Sequence, residues 1–209
     1  MSLLLAAALA SCEAPQPDDL DPVSLLVGAY DNAAQYEAAD ESLKIQPKIG
    51  DTRAWFDQQY AEFKVVDVPS VPGTVVALEW RKGGPGGEMS RQRFWAFQLD
   101  GPAALMYFYG FKSDVDMANE AALSALTRDD LIAYGDACAL PVVSISGGYQ
   151  LSIPETCRIV TQSGLDMILS STITIREDTL TYEESGRLPD GTQIFEVPGK
   201  MAYVFEKRR

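Results

Sequence analysis

Alternation of apolar and polar positions dominates the chain beyond residue 60. Phe63–Val68 and Thr74–Trp80 are rich in β-branched and aromatic residues, with the turn cluster Pro69–Gly73 between them. Met89–Leu99, Ala104–Phe111, Pro141–Ser146, Tyr149–Ile153, Cys157–Val160, Met167–Arg176, Thr179–Glu184, Gln193–Val197 and Ala202–Phe205 continue the pattern. Tight-turn pairs separate them: Asp100-Gly101, Gly147-Gly148, Ser163-Gly164, Glu177-Asp178, Asp190-Gly191 and Pro198-Gly199. The spacing predicts a mainly β, antiparallel barrel or sandwich of about nine to ten strands, and a closed meander is the simplest topology because closure removes both sheet edges. Helical periodicity is confined to Pro22–Ala39 and to Ser113–Ala133. In the second segment Ser113 or Asp114 is a plausible N-cap, and Thr127 with Asp130 marks a second helix start. Gly83-Gly84-Pro85-Gly86-Gly87 has no Gly-Lys-Ser/Thr after it and reads as a hairpin loop, not a phosphate cradle.

Met89–Leu99 is the strand that carries chemistry. Alternation puts Arg91, Arg93, Trp95, Phe97 and Leu99 on one face, and Ser90, Gln92, Phe94, Ala96 and Gln98 on the other. The first face, with three large apolar residues, is expected inside. Two guanidinium groups then lie within one end of the barrel, where a cation needs a partner. Glu79, across the glycine-rich hairpin, is the nearest acid in sequence. Two readings follow. Arg91, Arg93 and Glu79 form an ion pair that closes the barrel, or the arginines clamp an anionic ligand at the mouth of a cavity walled by Trp80, Trp95, Tyr107 and Tyr109. The planar guanidinium fork suits carboxylates, so the ligand class is an amphipathic acid such as a tetrapyrrole with propionates. Aromatic residues on barrel strands are more often plain core than ligand wall.

Composition narrows the choice. The 209 residues are 46% hydrophobic, carry 17 Lys and Arg against 30 Asp and Glu, and include no His. A net charge of −13 argues against nucleic-acid backbone binding. The lack of His excludes Ser-His-Asp and Cys-His catalysis and every His-ligated metal. No cofactor or metal site is expected. No apolar run reaches the roughly 20 residues of a transmembrane helix.

Residues 1–11 read as an export signal, with the apolar run Leu3–Ala10 after the short start Met1-Ser2. Leu9-Ala10-Ser11-Cys12 matches a bacterial lipobox, which makes Cys12 a lipidation site and implies a lipid-anchored envelope protein. Residues 12–22, with three Pro and four acids in Glu13–Pro22, form a tether, and 23–209 one folded domain. Cys138 and Cys157 remain in an oxidising compartment and suggest one disulfide, against the alternative of two separate buried thiols.

The order of several short motifs resembles the CpcT/CpeT family of T-type chromophore lyases. Leu26-Val27-Gly28-Ala29-Tyr30-Asp31-Asn32 with Gln35 is similar to that family's N-terminal motif, and Ser90-Arg91-Gln92-Arg93-Phe94 to its Tyr-Arg-Gln-Arg-aromatic strand behind a strand bearing Glu79. Asp130-Leu131, Cys138, Gly148-Tyr149-Gln150, Cys157, Gly191 and Phe205-Glu206-Lys207-Arg208 continue the run over about residues 25–208. The chain departs from the pattern at Ser90, at Asp136-Ala137 where the family has Gly, and in its export signal. The resemblance implies a lipocalin-like (calycin-type) barrel. It also implies a bilin held by its propionates on Arg91 and Arg93, Glu79 as the acid beside the pyrroles, and an acceptor protein that takes the chromophore on a thiol. Its competitors are a non-enzymatic envelope lipoprotein that binds a small amphipathic ligand, and a barrel with a filled core that works through protein contacts. An apolar cavity on the order of several hundred Å³ separates the last two.

Overall fold

The structure is a computed structural model that describes residues 21–46, 53–101, 103–161 and 164–209. The export signal, Cys12 and most of the tether lie outside the described residues. Among the described residues the chain is mainly antiparallel β with three short helices: α1 (Pro22–Leu26), α2 (Ala33–Ala38) and α3 (Glu120–Ser124).

Ten strands close a barrel. In spatial order they are β1 (Gly28–Asp31), β2 (Gln59–Val66), β3 (Thr74–Lys82), β4 (Met89–Gln98), β5 (Leu105–Phe111), β7 (Leu140–Ile145), β8 (Gly148–Ser152), β10 (Asp166–Arg176), β11 (Thr179–Arg187) and β13 (Tyr203–Lys207), which returns to β1. Three further strands ride on this ring: β6 (Leu131–Ala133) on β5, β9 (Arg158–Val160) on β10 and β12 (Gln193–Val197) on β11. β10 changes partner from β8 to β9 along its length, and β11 changes from β13 to β12. The β10–β11 hairpin therefore extends past the ring as a four-stranded leaf, edged by β9 and β12.

Both predicted helical segments are broken up. In the first, Gly28–Asp31 is a strand that completes the ring between β13 and β2. Gly28 takes φ +141°, and a Cβ there would stand 2.7 Å from the Lys207 side chain, so the chain turns from helix to strand where only glycine fits. Asp21, assigned to the tether, caps α1 by accepting from the Val23 and Ser24 amides at 2.9 and 3.0 Å. In the second segment the cap of α3 is Asn119, not Ser113 or Asp114. The start at Thr127 is present as a 3₁₀ turn over Arg128–Asp130, where the Thr127 amide donates to Asp130 at 2.8 Å. Leu131–Ala133 then adds to the sheet instead of continuing a helix.

Two cores result. The interior core gathers Tyr30, Phe63, Val76, Leu78, Trp80, Trp95, Ile173 and Phe205 among others. A second, outer core covers β3 and β4 from outside: Val75, Ala77, Phe94 and Ala96 pack under Leu123 of α3 and Leu131. β4 is thus buried on both faces from Phe94 to Phe97. The Cys138–Cys157 disulfide is formed, with 4.5 Å between Cα atoms, and both residues are buried. It ties the segment before β7 to the segment before β9.

Candidate ligand site inside the barrel

The interior is unevenly filled. On the β13–β1–β2–β3 side, aromatic rings pack edge to face: Trp80 meets Tyr182, Phe205 and Tyr203 at centroid distances of 4.8, 5.3 and 5.9 Å. On the β4–β5–β10–β11 side lies a cavity of about 640 Å³. Its walls are mostly apolar (Leu78, Trp95, Met106, Phe108, Leu169 and Ile173 among them), and Ile159 and Val160 of β9 and Phe195 of β12 stand around it. Arg91, Arg93 and Glu184 are its charged side chains. An apolar cavity with a few converging polar groups, inside the roughly 300–1,000 Å³ range of ligand pockets, has the form of a small-molecule site.

Strand register explains which residues reach it. Arg91, Arg93 and Trp95 of β4 lie opposite Trp80, Leu78 and Val76 of β3, all on the inner face. The predicted alternation of β4 therefore holds, and both arginines point inward.

The two arginines differ. Arg91 Nη1 lies 2.7 Å from Glu184 Oε2 and donates to Tyr182 Oη at 2.6 Å, while the Tyr182 hydroxyl donates to Glu184 Oε2 at 2.9 Å. The guanidinium also sits over the Trp80 and Tyr182 rings, 5.4 and 5.8 Å from their centroids. Burial works against the Arg91 charge, but Tyr182 and Glu184 outweigh it, and the net effect holds the guanidinium more firmly protonated. Burial likewise pushes the Tyr182 phenol upward. Arg91 is a satisfied member of a three-residue cluster. Arg93 is not. Its guanidinium donates to the Gln92 carbonyl at 2.8 Å, and among the described residues it forms no ion pair. Arg93 also lines the cavity.

Four expected site residues lie away from the cavity. Glu79 is on the outer face, because it shares β3's outward phase with Val75 and Ala77; its partners are Arg81 and Gln92, each at 3.3 Å. Glu184 takes the place expected for it beside Arg91. Tyr107 and Tyr109 are also outside, packed against the outer core, because Met106, Phe108 and Gly110 hold the inner positions of β5. Trp80 supports Arg91 from the filled side and does not line the cavity. The site therefore unites Arg91, Arg93 and Trp95 with two residues that the sequence reading did not single out, Tyr182 and Glu184. A signal for them existed: Leu180, Tyr182, Glu184 and Gly186 share one phase of β11, so an acid sits in step with buried residues.

No protein-family profile matches the chain, and no curated protein sequence matches it. The solved structures that share its fold include the following two. The T-type phycobiliprotein lyase CpeT from Prochlorococcus phage P-HM1 superposes with a TM-score of 0.51 at 10% identity, over 90% of this chain and 98% of that one. The CRL protein of Arabidopsis superposes with a TM-score of 0.61 at 12% identity, over 88% of this chain and 94% of that one. At these identities the likeness establishes the barrel architecture, across nearly the whole of each chain.

Proposed function

We propose that the chain is a binding barrel for an amphipathic carboxylic acid, with open-chain tetrapyrroles as the class that suits it best. One observation carries the reading: a large apolar cavity into which the uncompensated guanidinium of Arg93 projects. Arg93 is half-buried and has no acid beside it among the described residues, and a ligand carboxylate in bidentate contact would supply one. Trp95 and Phe108 offer apolar surface to a conjugated ring system, and Glu184, held by Arg91 and Tyr182, is an acceptor for pyrrole N–H groups. The shared fold with a phycobiliprotein lyase supports the same ligand class. In the fuller form of this reading the barrel holds a bilin and presents it to a thiol of an acceptor protein, as a chromophore lyase does. In its simpler form it stores or carries the ligand.

The N-terminal sequence supports a place for this activity. Leu9–Cys12 favours export, cleavage after residue 11 and lipid anchoring of Cys12 on a bacterial envelope membrane, with the acidic tether between anchor and barrel. The formed disulfide is compatible with such a compartment. The test is an absorbance titration of the purified domain with biliverdin and, separately, with haem. A saturable change in the biliverdin spectrum at one equivalent supports the reading. A linear, unsaturable response to both overturns it.

A further inference from the structure

The barrel wall has a seam. Tyr109–Phe111 of β5 pair with β6, and Leu105–Met106 pair with β7, but between these two ladders the chain departs from the sheet along Tyr134–Ala139. Tyr134 covers the seam. Its ring stacks on Phe108 at 4.6 Å, and a Cβ at Gly110 would stand 3.3 Å from the Tyr134 hydroxyl, so a glycine there makes room for it. Outside the seam lies a second cavity of about 360 Å³, lined by Tyr107, Tyr109, Arg128 and Asp136. Phe108 and Tyr134 belong to the walls of both cavities. Gly135, at φ +77° with open space where a side chain would be, follows Tyr134 directly, and Cys138 is fixed by the disulfide. The segment thus has a glycine with open space around it at one end and a disulfide-pinned cysteine at the other.

We propose that the outer cleft is an access subsite for an anionic aromatic ligand, which reaches the cavity through the seam when Tyr134 swings aside. Arg128 attracts the anion, Tyr107 and Tyr109 offer ring surface for its apolar body, and Arg93 receives it inside. The proposal rests on the cavity being the ligand site proposed above, though not on the ligand being a tetrapyrrole.

The experiment is stopped-flow fluorescence with 1-anilinonaphthalene-8-sulfonate, a small aromatic anion, on the folded domain and on Tyr134→Ala and Arg128→Gln, with biliverdin titrated in parallel. Tyr134→Ala should speed association and dissociation together, by up to about tenfold, the rate equivalent of a lost stacking contact. Arg128→Gln should slow association roughly two- to fivefold at low salt and flatten its salt dependence. Rates unchanged in both variants overturn the proposal, as does the absence of saturable probe binding to the unmodified domain. If Tyr134→Ala fails to fold, Arg128→Gln at its exposed site decides alone. Portal-dependent probe rates without biliverdin binding would uphold the access route and refute the tetrapyrrole reading.

Discussion

Truncating each arginine in turn should separate a structural cation from a ligand-binding one. Arg91→Ala removes the partner of Glu184 and leaves a carboxylate whose side chain is only 13% exposed; Arg91 itself is 26% exposed. Breaking a fully buried pair costs about 3–5 kcal/mol, and the residual exposure of both groups brings the expectation to about 2–3 kcal/mol. For a chain of this size that is a melting-temperature drop of roughly 4–12 °C. Arg93→Ala breaks no ion pair, so its effect should stay within about 0.5 kcal/mol. Differential scanning calorimetry of the two variants, of Glu184→Ala and of Arg91→Ala/Glu184→Ala measures this directly. The double variant should lose less than the sum of its singles, by a coupling of about 1–3 kcal/mol. Equal melting temperatures for Arg91→Ala and Arg93→Ala, or strict additivity in the cycle, would refute the division of labour.

Reducing the Cys138–Cys157 disulfide, or Cys138→Ser, should cost about 3 kcal/mol by the chain-entropy account, read as a lower urea midpoint with a slope that rises as the uncrosslinked denatured chain expands; no shift would count against it. Burial holds the Tyr30, Tyr182 and Tyr203 phenols above the ordinary value of 10.0, so the folded state keeps these protons where the unfolded chain releases them. The resulting stability is fully present below pH 10 and is lost as pH rises beyond it, so the melting temperature should fall across roughly pH 10–11 while the 295 nm phenolate signal from these three appears only on unfolding. Gly110→Ala should press on the Tyr134 hydroxyl and shift its ring slightly, visible as a changed Tyr134–Phe108 ring-current shift in NMR with the barrel intact. Mass spectrometry of membrane fractions should find acylated Cys12 at the N-terminus, and Cys12→Ala should release the protein; a soluble product that retains Met1 would contradict the anchor.

Much of the barrel was legible because period-2 alternation is the direct imprint of a half-buried strand. Gln193–Val197 was readable to the residue. Gly28–Asp31 was hidden because Leu25, Leu26, Ala29 and Tyr30 also satisfy helical spacing, and a four-residue strand gives too little sequence for the two periods to differ. Leu131–Ala133 was hidden for the same reason. At the site, the phase of β4 was readable, but partner choice across the barrel was not. Glu79 is close in sequence to Arg91 and on the wrong face, whereas Glu184 lies on a strand whose contact with Arg91 exists only once the ring closes. Tyr107 and Tyr109 misled because Leu105–Phe111 is apolar throughout: with the outer core covering one face, both phases look buried.

The central claim is that Arg93 receives a ligand carboxylate inside the barrel. Isothermal titration of biliverdin and of its dimethyl ester into the domain and into Arg93→Ala tests it most directly. A charge-assisted contact predicts a loss of about 10- to 100-fold in affinity on removing either the arginine or the carboxylates. Removing both should cost no more than removing one. Equal affinities for acid and ester in the unmodified domain, or an undiminished Kd in Arg93→Ala, would contradict the account.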